Sequence, residues 1–115
     1  MNKLMAEAVL ARATQGQRLI IADRSMTACQ AHFEDVAHTV DLLDDDAIAQ
    51  ITRTNGRQRI TLTNGGSIRF LTYRNLRGHT ADVLVTYNER DLTEPEHAAL
   101  APAICTAREA MRADD

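Results

Sequence analysis

Tryptophan is absent from this 115-residue chain, and Phe33, Phe70, Tyr73 and Tyr87 are its only aromatic residues. Its core must therefore rest on Leu, Ile, Val, Ala and Met, and a surface that stacks bases would have few rings to use. Lysine occurs once, at Lys3. No apolar run approaches the roughly 20 residues that cross a bilayer, so no membrane association is expected. The first helical stretch carries Lys3, Glu7 and Arg12, which argues against a signal peptide. Cys29 and Cys105 lack CxxC spacing, and the expectation is two reduced thiols in a cytosolic protein. Repeats, low-complexity segments and linkers are missing too. The length suits one domain, residues 1–112, followed by a frayed tail at 113–115.

What is present is an uneven distribution of charge. The net charge is −3, yet the stretch 47–81 holds Arg53, Arg57, Arg59, Arg69, Arg74 and Arg77 and no Asp or Glu. The acids all lie outside it. Segregation of this kind bears on partners rather than on fold.

The periodicity changes along the chain. Residues 4–13 have helical spacing, with Gly16 as a stop. Arg18 to Ala22 is a short apolar run, the pattern of a buried parallel strand. Ser25 is an N-cap candidate for a helix that buries Met26, Cys29, Phe33, Val36, Ala37 and Val40. Asp44-Asp45-Asp46 marks a connection. Stretches 47–53, 57–63 and 67–72 then read as strands, with Ile48, Ile51, Ile60, Leu62, Ile68 and Phe70 alternating against polar residues. The turn signals Asn55-Gly56 and Asn64-Gly65-Gly66 make these three an antiparallel meander. Residues 82–87 form another buried strand. A last helix opens at Glu94-Pro95 and should bury Leu100, Ala103, Ile104, Ala107 and Met111. The expected class is α/β, with about three helices.

The stretch 64–107 combines Asn64-Gly65-Gly66, the strand to Phe70, Arg77-Gly78, the strand Asp82 to Tyr87 and an Ala-, Leu- and Pro-containing helix. In that order it resembles the ATPase domain of phage terminase large subunits and their helicase-like relatives. The resemblance implies a layered P-loop-NTPase-like (RecA-like) sheet with an inserted meander. The sequence contains no Gly-x-x-x-x-Gly-Lys-Ser/Thr, so the P-loop strand of that architecture is lacking. The Walker B acids of the family fall on Tyr87 and Asn88 or, one residue on, Asn88 and Glu89. Neither register supplies an Asp for Mg²⁺. The resemblance thus implies a degenerate ATPase with no catalytic residues, no cofactor and no metal. It implies a phage- or prophage-type binding module in a bacterial cytoplasm, unless a second chain supplies the P-loop of a split ATPase. An unrelated small α/β protein is the other alternative.

The six arginines, Arg53, Arg57, Arg59, Arg69, Arg74 and Arg77, are the candidate binding residues. They are expected on one side of the meander, where they suit a nucleic-acid backbone or a protein partner. Alternatively they only keep strand edges soluble. Deleting a P-loop strand would leave 83–87 with an open edge. That edge invites a homodimer, or closure by placing Arg18 to Ala22 beside it. His32, His38, His79 and His97 have no metal-ligand spacing.

Overall fold

The computed structural model describes residues 1–40, 45–54 and 56–113. Three α-helices and six β-strands follow one another along it: α1 (Lys3–Thr14), β1 (Arg18–Asp23), α2 (Met26–Thr39), β2 (Ile48–Thr52), β3 (Arg59–Leu62), β4 (Ser67–Thr72), β5 (Val83–Tyr87), α3 (Glu94–Thr106) and β6 (Glu109–Ala113). Single 3-10 turns sit at Asp45–Ala47 and Tyr73–Asn75. Asp44 and Asn55, both assigned to connections, lie outside the described residues.

The helix ends follow from local chemistry. Asn2 caps α1 by accepting the Met5 N–H at 2.8 Å, and Ser25 caps α2 through Ala28 at 3.0 Å. At the end of α1 Gly16 has φ +87. The Gly16 N–H donates to Ala13 and the Gln17 N–H to Arg12, the paired bonds of a glycine-terminated helix. Thr93 and Glu96 close α3 reciprocally as a capping box, with Pro95 in the first turn.

The strand order is β2-β3-β4-β1-β5-β6. β1 pairs in parallel with β4 on one side and β5 on the other, and β5 pairs in parallel with β6. β2-β3-β4 is the expected antiparallel meander. Its last strand joins the parallel set, so the meander extends the sheet instead of interrupting it. Ile48 and Ile51 are three apart and would point oppositely on a regular strand. A register shift between Ile48 and Gln50 lets both pack on the same cluster.

Side chains alternate between two cores. Leu19, Ile21, Ile60, Leu62, Ile68, Phe70, Val83, Val85 and Tyr87 meet Val9, Leu10, Phe33 and Val36 of α1 and α2. Phe33 and Phe70 cross edge-to-face at 5.5 Å. Ile20, Ala22, Leu71 and Leu84 face the other way, against Tyr73, Leu76, Leu92, Ala99, Leu100 and Ala103. No helix among the described residues is long and apolar enough to cross a membrane.

Four expectations about these elements are corrected. Met26, expected among the buried residues of α2, is 48% exposed. The last helix stops at Thr106, where Ala107 turns extended (φ −74, ψ 140). Met111 does reach the core, but from a sixth strand, and Ile104 is 41% exposed. Ala113, assigned to the frayed tail, is buried at the end of β6 beside Tyr87. Finally, β5 has no open edge: the strand Arg18–Asp23 lies beside it, as the internal-closure alternative expected, and β6 covers its other side.

Candidate functional site

The carboxyl ends of β1 and β5 gather the first set of candidates. Asp23 ends β1 and is 2% exposed. His32 of α2 approaches with Nε2 2.7 Å from Asp23 Oδ2, and the Asn88 amide donates to Oδ1 at 3.1 Å. Burial alone would raise the Asp23 pKa. Hydrogen bonds from His32, the Arg24 N–H and Asn88, with the His32 charge, outweigh burial and hold the carboxyl below its ordinary value. Tyr87 stacks on His32 at 4.2 Å between ring centroids, and its carbonyl accepts the Tyr73 hydroxyl. His32 Nδ1 is buried with no hydrogen-bond partner among the described residues. Asn88 and Asp91 adopt positive φ, 55 and 58, a conformation such residues tolerate better than most.

Asn88 therefore serves a buried carboxylate. Glu89 accepts a hydrogen bond from the Thr86 hydroxyl and lies 2.8 Å from Arg112 Nε, so its charge is balanced within the fold. A cleft of about 630 Å³ opens beside these groups, edged by Arg24, Glu89, Arg90 and Arg112. Among the described residues no three His, Cys, Asp or Glu side chains converge as metal ligands.

The arginines divide between the two faces of the sheet. Arg53 belongs to the α2 side: its guanidinium lies 5.4 Å from the Phe33 ring centre and 3.4 Å from Glu34. The other five line three adjoining hollows on the opposite face, all of which share His79. Arg57, Arg59 and Arg69 border one of about 410 Å³. Arg59 and Arg69 border a second, of about 170 Å³, with Arg18, Ser67, Gly78 and Thr80. Arg74 and Arg77 border a third, of about 580 Å³, against Pro95, Ala98 and Pro102 of α3. The expectation of six arginines on one side is corrected to five, joined by Arg18, which sequence reasoning had assigned only to a strand.

No Asp or Glu among the described residues lines any of the three hollows. Arg57, Arg59, Arg74 and Arg77 have no side-chain hydrogen bond or salt bridge among the described residues. Arg59 and Arg69 stand directly opposite each other on β3 and β4, an arrangement of like charges that destabilises a strand pair. Arg69 is held in place all the same. Its Nη2 donates to the Thr80 carbonyl at 2.6 Å, and Nη1 lies 2.8 Å from His79 Nδ1. A guanidinium has only protons to give, so Nδ1 accepts and the His79 ring is neutral, its proton on Nε2. Burial and then the Arg69 charge lower the His79 pKa, consistent with that state. Burial first, then Arg59 and Arg18, lower the Arg69 pKa. Arg69 Nε is buried and has no partner among the described residues.

Gly78 makes this cluster. It has φ +81 in a turn closed by the His79 N–H to the Leu76 carbonyl at 2.9 Å. A side chain there would be strained, and the turn delivers His79 and Thr80 to Arg69.

No known family model matches the chain, and no curated protein matches it.

Proposed function

We propose that this chain is a non-enzymatic binding module that holds a nucleic-acid backbone on its basic face. One observation carries the reading: five arginines of the stretch 47–81 meet Arg18 around joined hollows with no carboxylate among their described lining residues. A face meant only for solubility would have its guanidiniums paired or dispersed. Here like charges are set opposite each other, and a polyanion offsets their repulsion. A protein partner remains the second outcome, because an acidic protein surface would meet the same charges. The resemblance to terminase and helicase-like ATPases supplies the sequence side of the proposal, and with it a phage or prophage setting. The non-enzymatic side of the proposal is supported by Asn88, which stands at a Walker B position of the resemblance and whose amide is committed to Asp23.

Fluorescence anisotropy with single- and double-stranded oligonucleotides between 50 and 200 mM salt tests this proposal. Four or five phosphate contacts give a log–log salt slope of roughly −3 on single strands to −4.5 on duplex. Reversing two charges, in Arg57→Glu with Arg59→Glu, should flatten the slope by about 1.4–1.8 and weaken binding. Absence of binding at low salt would transfer the face to an acidic protein partner. Titration with a non-hydrolysable ATP analogue should show no magnesium-dependent micromolar binding. Such binding would revive the split-ATPase alternative.

A further inference from the structure

We infer that the smallest of the three hollows is a site for one phosphate dianion: free inorganic phosphate or the terminal phosphomonoester of a nucleic-acid strand. It is bounded by Arg18, Arg59, Arg69, His79 and Thr80 and has a volume of about 170 Å³. Small-molecule pockets run to about 300–1,000 Å³. This one has room for a single tetrahedral oxyanion and a few waters.

Its charge suits a dianion. Arg18 is shared with Asp82, whose Oδ2 accepts the Arg18 backbone N–H at 2.9 Å and lies 3.9 Å from its Nε. His79 is neutral. That leaves the charges of Arg59 and Arg69, which no carboxylate among the described residues pairs. A phosphomonoester carries about −1.5 to −2 at pH 7, while an internal phosphodiester carries one negative charge. The end of a strand therefore matches this site better than its middle.

One of the two charged donors is also fixed before any ligand arrives. The Arg69 guanidinium is locked by Thr80 and His79, so little rotamer freedom is left to lose on binding. His79, with its proton on Nε2, has that group left as a donor. An anion between Arg59 and Arg69 would also turn a directly opposed like-charge pair into a bridged one, so binding should stabilise the fold. The dianion site stands on its own geometry; only the strand-end form of the ligand rests on the nucleic-acid reading above.

Two measurements test it. Thermal unfolding is followed in sodium phosphate and in sodium chloride at equal ionic strength, for the parent chain and for Arg59→Gln. Arg59 is exposed and its side chain hydrogen-bonds to no described residue, so this variant keeps the fold. Anisotropy then compares one oligonucleotide with a 5′-phosphate, a 3′-phosphate or hydroxyl ends. The expected result is phosphate-specific stabilisation of the parent that Arg59→Gln loses. At least one phosphorylated end should bind about tenfold tighter than the hydroxyl-ended strand, again only in the parent. Phosphate stabilisation with no binding of any oligonucleotide would support the site with free phosphate as its ligand, and would overturn the nucleic-acid reading. Salt-dependent binding that ignores strand ends, with no stabilisation by phosphate, would overturn the site and leave that reading intact.

Discussion

The turn Asn64-Gly65-Gly66 offers a test in which the sign of the effect decides. Gly66 does not have a positive φ. On backbone grounds alone, Gly66→Ala should stabilise by about 0.4–1 kcal/mol, because alanine narrows the unfolded ensemble. Contact argues the opposite. A Cβ on Gly66 would lie 2.0 Å from the Ala13 carbonyl oxygen and 3.0 Å from its carbon. Both atoms are backbone at the end of α1, so no rotamer change relieves the overlap. Turn and helix must part by more than about an ångström to restore ordinary contact. The same movement strains the bond from the Asn64 amide to the Thr14 carbonyl at 2.8 Å and the one from the Gly66 N–H to Asn64 Oδ1 at 2.9 Å. Overpacking costs about 1–3 kcal/mol and a lost hydrogen bond about 1 kcal/mol, giving about 2–4 kcal/mol together. At about 4 °C per kcal/mol for a domain of this size, Tm should fall by about 8–16 °C. Gly65→Ala is the control. Gly65 has φ +93, and a methyl group there would meet no atom within 4 Å, so it reports backbone strain alone, about 1–2 kcal/mol. Urea and thermal unfolding of both variants give the comparison. A neutral or stabilised Gly66→Ala would show that the turn does not dock on α1 as described.

Thr93→Ala removes the hydroxyl that caps α3 and should cost about 1 kcal/mol in urea unfolding; no change would mean that the capping box is not formed in solution. The thiols should differ: Cys105 is exposed, whereas burial and then Asp23 push the Cys29 thiol up to about 12. An aromatic disulfide reagent at pH 8 should therefore titrate one group rapidly, and Cys105→Ser should abolish that signal; a second rapid equivalent would place Cys29 outside the core. The lowered pKa of Asp23 means that its contribution is complete above its unfolded value of about 3.9 and is lost as pH falls through the folded one. Unfolding of the parent against Asp23→Asn should give a flatter acid limb below about pH 4 in the variant, and parallel limbs would exclude the Asp23 pairing.

The sequence was legible where local pattern and tertiary context agree. Alternation in 57–63 and 67–72, with glycine turns between them, is enough to place β3 and β4. The end of α3 is illegible for a physical reason. Glu109, Ala110, Met111 and Arg112 are all better helix formers than strand formers, and Leu100, Ala103, Ala107 and Met111 continue a helical stripe. Partners remote in sequence override that preference. The ladder to β5 supplies the backbone bonds. Arg12 grips Glu109 through two bonds at 2.7 and 3.2 Å, and Glu89 holds Arg112. The binding face was half legible. A run of arginines without acids shows in the sequence, but the face on which each one lies depends on register. Arg53 is drawn to Phe33 and Glu34 of α2, while Arg18 joins because β1 pairs with β4. The Asp23–His32 pair spans a strand end and the second turn of a helix, and no spacing rule would have announced it.

The same pairings alter the argument for association between copies. That argument needed an apolar central strand with an open edge, and β5 is closed on both sides. The sheet edges are β2 and β6. β2 carries a register irregularity near Ile48, and β6 presents Glu109 and Arg112, each tied to a charged partner. Irregularities and charged side chains both discourage strand addition. Backbone pairing is therefore a poor route to a partner for this fold. The unspent interaction lies in charge: the guanidiniums of Arg57, Arg59, Arg74 and Arg77, with no hydrogen bond or salt bridge among the described residues, gather on one face. A partner that engages it should be recognised by its negative groups and their spacing, and its affinity should depend steeply on salt.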